Sequence, residues 1–124
     1  MKTIARLWGV VLVFFFLVTA CAAAETYGKK ITDRKSLTAI GDILYDPSVY
    51  EGKEVTIEGK ISSECPAGCF FSLTQAGKEA SIIVDLNPAG FSIPQRVGRT
   101  ALVRGTVSIR DDSVVILGNG VEIK

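Results

Sequence analysis

Apolar residues recur at every second position from Gly52 onward, and this alternation constrains the fold more than any other feature. In residues 53–63, Val55, Ile57 and Ile61 fall on one face, and charged or hydroxyl residues fall on the other. A period of two is typical of a strand with one buried face. Gly59 interrupts the inward row, which predicts a bulge or a sharp coil in this strand.

Four further strands follow the first one. Residues 69–75 and 79–86 predict a hairpin around Ala76–Lys78, and residues 87–98, with two prolines and two glycines, predict a connector. Residues 100–109 and 113–123 form the last pair, turned by residues 110–112, and Gly118–Gly120 is expected to divide the final strand into two pieces.

Five short strands within residues 52–123 are too few for a two-sheet sandwich of ordinary size. A closed barrel removes the free strand edges, and it needs a glycine in its long first strand. The longest connection lies between the third and fourth strands, as in an OB-fold. The sequence therefore predicts an all-β fold, a five-stranded Greek-key OB barrel. The expected interior residues are Val55, Ile57, Ile82, Val84, Val103, Val107 and Ile116.

A short helix is expected before the barrel. Ser36 is a suitable N-cap, and Pro47 ends the segment because the residue before a proline avoids the helical region. Between them an apolar stripe, expected to cover the core, consists of Leu37, Ile40, Ile43 and Leu44.

The first twenty residues have the pattern of an export signal. Lys2 and Arg6 precede an uncharged apolar run, Leu7–Val18, which is shorter than the roughly 20 residues that a membrane-spanning helix needs. Residues 17–21 (LVTAC) resemble the bacterial lipobox. The resemblance implies cleavage after residue 20 and acylation of Cys21, giving a signal peptide over 1–20, a flexible tether over 21–35 and the OB-fold domain over 36–124. The alternative is an ordinary signal peptide cut after Ala22 or Ala24.

Charge and composition exclude several function classes. The chain has no histidine, so Ser-His-Asp or Cys-His catalysis and histidine-ligated zinc are excluded. The 14 basic and 13 acidic residues become 12 and 13 once residues 1–20, with Lys2 and Arg6, are removed. Because no basic excess remains, nucleic acid is an unlikely partner. We expect no catalytic residues, no metal and no cofactor.

Residues 40–123 resemble small OB-fold proteins of the bacterial cell envelope, many of them predicted lipoproteins without assigned activity. The matching stretches are 46–53, 55–59, 65–71, 84–86, 90–94 and 103–107. These stretches are turns and strands that determine the fold. Together with the lipobox, the resemblance implies a lipid-anchored envelope protein. Because Ala22 follows Cys21 where an Asp would resemble the inner-membrane retention signal, the periplasmic face of the outer membrane is favoured if the host has two membranes. The wider OB superfamily includes the haem chaperone of cytochrome c maturation. That chaperone attaches haem through a histidine, and this chain has none.

Cys65 and Cys69 lie in the turn between the first two strands, beside a rim where OB-folds often bind ligands. In an oxidising compartment an even pair predicts first a structural disulfide. A redox-active or soft-metal-binding pair and two inert thiols remain as alternatives. The absence of histidine and the neighbouring Glu64 carboxylate predict that neither thiol has a lowered pKa.

Four residues are candidates for contact with a ligand: Phe70, Phe71, Phe91 and Arg104. Phe70 and Phe71 are adjacent in a strand, so one should enter the core and the other should be exposed or covered by the connector. Phe91 is expected to plug the barrel, and Arg104 belongs to a group of arginines that acidic residues can balance. The sequence favours a non-catalytic module that binds a small ligand or an envelope protein, with thiol chemistry at Cys65 and Cys69 and single-stranded nucleic-acid binding as alternatives.

The lipobox generates the first testable prediction. Because acylation needs the Cys21 sulfur, Cys21→Ser should release the protein from membranes or leave it unprocessed, as measured by membrane fractionation. Mass spectrometry of the wild type should find an acylated N-terminus at Cys21. An unmodified N-terminus at Ala23 or Glu25 would contradict the lipoprotein assignment.

Overall fold

The computed structural model describes residues 24–32 and 34–124, so the signal peptide and Cys21 lie outside the described residues. Six strands and two short helices follow one another along the chain. They are β1 Glu25–Gly28, α1 Ile40–Tyr45, α2 Pro47–Tyr50, β2 Glu54–Glu64, β3 Phe70–Thr74, β4 Ser81–Asp85, β5 Thr100–Arg110 and β6 Ser113–Ile123, with a 3-10 turn over Asn87–Ala89. Within the described part of the chain, no helix is long and apolar enough to cross a membrane.

Strands β2–β6 close into the expected OB-fold barrel. Antiparallel pairing joins β2 to β3, β3 to β4, β6 to β5 and β5 to β2, and β4 pairs with β6 in parallel. Every one of these five strands therefore has a partner on both sides. The connector between β4 and β5 is the long one, which confirms the predicted strand order.

The barrel interior contains all seven residues that the alternation predicted, each of them buried. Ile40 and Ile43 of α1 join the same core. Gly59 is buried where a Cβ would collide with the backbone of Thr74, so the strand passes too close to β3 for any side chain at this position. The irregularity follows slightly later, where the β2–β3 register shifts between Ile61 and Ser63.

The final strand differs from its prediction because β6 continues through residues 118–120 without a break. Arg104 pairs with Gly120 and Gly105 pairs with Gly118, so Asn119 is the extra residue of a bulge. The glycines therefore mark a bulge rather than a break, and the β5–β6 pairing continues on both sides of it. The preceding turn has positive φ at Asp111 and Asp112, 47° and 64°, as a tight two-residue hairpin requires.

The segment predicted as a flexible tether is partly ordered, which corrects the boundary at residue 35. β1 pairs antiparallel with the end of β6, and Tyr27 packs against the core. Arg96 donates to the Glu25 carboxylate at 2.9 Å, and Ile31 is buried. A four-residue strand held by backbone bonds and one distant ion pair leaves no periodicity in the sequence, which is why the pattern did not reveal it.

The helix before the barrel is shorter than predicted. It begins at Ile40 rather than after Ser36, because Leu37 forms a bridge with Thr56 of β2 and the Thr38 N–H donates to the Thr56 carbonyl at 2.8 Å. Leu37 is thus exposed, whereas Ile40 and Ile43 are buried as expected. Residues 47–50 form a separate helical turn with Pro47 at its start.

Two adjacent isoleucines of β4 provide a matched test of the strand register. Ile82 is buried, and Ile83 is 41% exposed. Ile82→Ala should lower the free energy of unfolding by about 2–4 kcal/mol, because it removes buried methyl groups and leaves a cavity. Ile83→Ala should cost less than about 1 kcal/mol, as substitutions outside the core do. Denaturant titration measures both free energies of unfolding. An equal or larger loss for Ile83→Ala than for Ile82→Ala would contradict the assigned register of β4.

A second test concerns how β1 is held. The hydrogen bond from Arg96 lowers the pKa of Glu25 below its ordinary 4.5. A depressed carboxylate pKa stabilises the fold above the unfolded-state value, and that contribution is lost as pH falls through the folded-state pKa. Glu25→Gln should therefore accelerate hydrogen exchange in β1 at neutral pH. In the wild type, acidification through the folded-state pKa of Glu25 should lower the protection factors of β1, which correct the measured exchange rates for the slower intrinsic exchange in acid. Glu54→Gln, which breaks an ion pair on β2, is the control; faster β1 exchange there would contradict the assignment.

Candidate ligand face and thiol pair

The loop over residues 65–69 joins β2 to β3 and carries both cysteines. The Cys65 N–H donates to the Phe70 carbonyl at 3.0 Å, and the Gly68 N–H donates to the Cys65 carbonyl at 2.8 Å. Gly68 has a φ of 71°, and a Cβ there would collide with the Ile93 carbonyl oxygen. The loop therefore needs glycine at this position both for its backbone conformation and for its close approach to the connector.

The connector between β4 and β5 holds this loop from outside. The Ile93 N–H donates to the Gly68 carbonyl at 3.0 Å. The Gln95 side chain donates to the carbonyls of Cys65 and Pro66 at 2.9 and 3.2 Å. The Leu86 N–H bonds the Cys69 carbonyl at 2.9 Å. Hydrogen bonds to the backbone carbonyls of Cys65, Pro66, Gly68 and Cys69 thus tie the loop to the connector.

The two cysteines meet as free thiols. The Cys69 thiol donates to the Cys65 sulfur at 3.4 Å, and each residue is half-buried. The adjacency predicted from the sequence is present, and the structural disulfide stays a prediction.

The two thiols have different environments. The backbone N–H of Ala67 makes the largest contribution to lowering the pKa of Cys65, followed by the Cys69 thiol. The hydrogen bond that Cys69 makes to Cys65, with burial adding to it, raises the pKa of Cys69. The expectation that neither thiol has a lowered pKa is therefore wrong. The expectation rested on the missing histidine, on Glu64 and on the N–H that Pro66 lacks. The groups that lower the pKa of Cys65 include backbone N–H groups further along the loop.

A chain of polar contacts connects Cys69 to the end of β4. The Asn87 side chain lies beside Cys69, where it acts to lower the pKa of that thiol, and it donates to the Asp85 carboxylate at 3.0 Å. Asp85 in turn accepts from Arg110 at 3.3 Å, which brings the β5–β6 turn to the same place. The sequence spacing did not indicate these contacts, because Asp85 on β4 and Arg110 on β5 come together only where both strands pair with β6.

The outer face of β3 and β4 lies beside the thiol loop. Phe70 is 43% exposed there, and Ile83 is 41% exposed on the neighbouring strand, opposite Ser72. The partner strand β6 adds Val115, which is level with Ile83. This mixed apolar and hydroxyl surface, which we call the β3–β4 face, also includes Thr74 and Ser81, whose hydroxyls are 2.7 Å apart.

The other predicted ligand contacts lie elsewhere. Phe71 is fully buried, so it is a core residue and cannot contact a ligand. This agrees with the strand alternation, which predicts that one of the two adjacent phenylalanines enters the core. Phe91 packs against the core, and its ring occupies the space beside Gly28. Arg104 bonds Glu54 and Thr56 at 2.8 and 2.7 Å on the β2–β5 side of the barrel. Of the four candidates, Phe70 alone lies on the β3–β4 face.

A groove of about 750 Å³ continues from the far end of this face. It is open to solvent and includes Thr74 of β3 together with the neighbouring turn and connector. Its other main lining residues are Lys60, Ser62, Lys78, Val97 and Gly98. Across residues 24–32 and 34–124, the structure brings no three cysteine, aspartate or glutamate side chains together in a way that could hold a metal ion.

Comparison with known proteins places the fold and leaves the family open. No protein-family model and no curated protein matches the chain. Among solved structures, the hypothetical protein ygiW from E. coli has 18% identity and a TM-score of 0.57, covering 79% of this chain and 100% of that chain. A chain of the Stn1–Ten1 complex of S. pombe (16% identity, TM-score 0.47) covers 70% of this chain and 75% of its own length. The match to the telomere capping protein Ten1 of Schizosaccharomyces pombe (16% identity, TM-score 0.47) covers 66% of this chain and 75% of the Ten1 chain. The likeness to the E. coli protein shows a shared small OB-fold.

Proposed function

We propose that this protein is a lipid-anchored module of the bacterial cell envelope that binds an oligosaccharide on the β3–β4 face and catalyses no reaction. The observation that carries the proposal is the exposure of Phe70 and Ile83, 43% and 41%, on adjacent strands of this face. OB-fold barrels bind oligosaccharides and oligonucleotides on the face formed by their second and third strands. In this chain those strands are β3 and β4.

The chemistry of the face fits a sugar. Both β3 and β4 are paired on each side, so the face offers side chains and no free strand edge to a ligand. An exposed phenylalanine provides a flat apolar surface, and apolar surface left in water favours binding. Ser72, Thr74 and Ser81 supply hydroxyl groups on the same face, and a sugar ring presents both apolar C–H faces and hydroxyls.

Charge disfavours a polyanion at the same place. Asp85 lies on this face beside Phe70, and the Arg110 guanidinium is already paired with its carboxylate. Binding to a phosphate backbone depends on cationic groups that release counterions. An oligosaccharide without a phosphate backbone avoids this repulsion.

The anchor belongs to the same proposal. The LVTAC sequence over residues 17–21 supports acylation at Cys21. Acyl chains at this residue give stable attachment when two or more are present. Attachment would hold the β3–β4 face on the outer side of the cytoplasmic membrane, or on the periplasmic side of an outer membrane, where envelope glycans are found.

Calorimetric titration with soluble glycan strands released from peptidoglycan tests the proposal. The wild type should bind, and Phe70→Ala should weaken binding by at least about tenfold, which corresponds to 1.4 kcal/mol. Val49→Ala, which alters an exposed apolar residue on α2, is the matched control and should bind like the wild type.

Two results would contradict the proposal. Equal affinity of the Phe70→Ala and Val49→Ala variants would show that the β3–β4 face is not the binding surface. Tighter binding of an oligothymidylate than of the glycan strands, with affinity falling steeply as salt rises, would instead indicate a single-stranded nucleic-acid binder.

A further inference from the structure

We propose that Cys65 and Cys69 form an exchange-active dithiol, in which Cys65 attacks a disulfide of a partner molecule and Cys69 resolves the mixed disulfide. Glycan binding is not required for this activity, because its two reacting atoms lie in the β2–β3 loop and are not part of the β3–β4 face.

The positions of the two sulfurs carry the proposal. They are 3.4 Å apart, with the Cys69 thiol directed at the Cys65 sulfur, so the resolving group is in place before a partner arrives. Both residues are half-buried rather than enclosed in the core. The adjoining loop residues Pro66 and Ala67 are exposed, so the pair lies at the surface side of the loop.

The loop backbone prepares Cys65 for the attacking role. The N–H groups of Ala67, Cys69 and Gly68 all act on its sulfur, and they stabilise a negative charge there without any histidine. The αL conformation of Gly68 contributes to this arrangement of donors. The resulting lowered pKa of Cys65 increases the fraction of thiolate, which is the nucleophilic form.

Cys69 has the complementary properties. Its thiol remains the donor in the pair, and its raised pKa keeps it protonated until the first exchange has occurred. The Asn87 amide faces its sulfur and can stabilise the thiolate that Cys69 forms when it resolves the intermediate. The two thiols thus differ in the way that sequential attack requires.

The hydrogen bonds around the loop separate this role from that of a structural crosslink. Gln95, Ile93 and Leu86 hold the loop through its backbone carbonyls. A crosslink is not needed to hold a loop that is already fixed at both ends and in its middle. The pair can therefore change between dithiol and disulfide while the barrel stays folded.

The reaction balances with a disulfide R–S–S–R′ as the oxidant. The Cys65 thiolate attacks one sulfur, forming a Cys65–S–S–R bond and releasing R′S⁻, which takes up a proton. The Cys69 thiol loses its proton to solvent and attacks the Cys65 sulfur, forming the Cys65–Cys69 disulfide and releasing RS⁻. The partner disulfide is reduced to two thiols, and the protein dithiol is oxidised by two electrons.

Reciprocal variants in a full-length Cys21→Ser background test the assignment, since this background removes the third thiol. Oxidised glutathione is the probe, and mass spectrometry is the measurement. Cys69→Ser should accumulate a single glutathione adduct on Cys65, and Cys65→Ser should form an adduct on Cys69 at least about tenfold more slowly, as expected when nucleophilicity follows the thiolate fraction. The chain with both thiols should instead proceed to the intramolecular disulfide and retain no adduct.

Reversal and folding controls complete the experiment. Millimolar reduced glutathione should reduce the Cys65–Cys69 disulfide rapidly, and circular dichroism should show the same folded state before and after. Equal adduct rates in the two variants, or a faster rate at Cys69, would overturn the proposed roles. A disulfide that stays oxidised in millimolar glutathione would overturn the exchange activity and identify a structural crosslink.

Discussion

Closure of the barrel through β6 is the constraint on which the rest of the structure depends. This strand pairs in parallel with β4, antiparallel with β5, and along its last residues with β1. The closure requires close backbone approach, and Gly105 and Gly118 provide it where a Cβ would collide with neighbouring atoms. Because β4 and β5 are fixed by the same strand, Asp85 and Arg110 meet, and the Asp85 carboxylate also accepts the hydrogen bond of Asn87.

The barrel itself could be predicted because its signal is periodic. A strand with one buried face must alternate, so the sequence alone predicts that Ile57, Ile82 and Val103 face the interior, where the structure places them. The failures occurred where structure depends on backbone pairing across long separations. β1 is held by its bonds to β6 and by Arg96, and α1 starts late because Leu37 pairs with Thr56. Neither contact leaves a local pattern.

In the candidate site too, the features with a local sequence pattern could be predicted, and those that depend on the folded backbone could not. Alternation implied that one of Phe70 and Phe71 is exposed, and a spacing of three residues implied that Cys65 and Cys69 lie close together. The unequal pKa values of the two thiols could not be predicted, because backbone N–H donors depend on the loop conformation and not on residue type. The placement of Asn87 against Cys69 depends on the 3-10 turn at the start of the connector, which composition alone does not specify.

The capture of β1 by β6 sets how far the domain could move from a bilayer. In the proposed lipidated form, only residues 21–24 separate the anchor from the first ordered strand at Glu25, a span of at most about 14 Å when fully extended. The barrel would then be confined to a thin layer next to the lipid headgroups, and glycans farther away would be out of its range. Detachment of β1 would lengthen the connecting segment by the residues of that strand. The strength of the Glu25–Arg96 ion pair thus becomes a control on working distance as well as on local order.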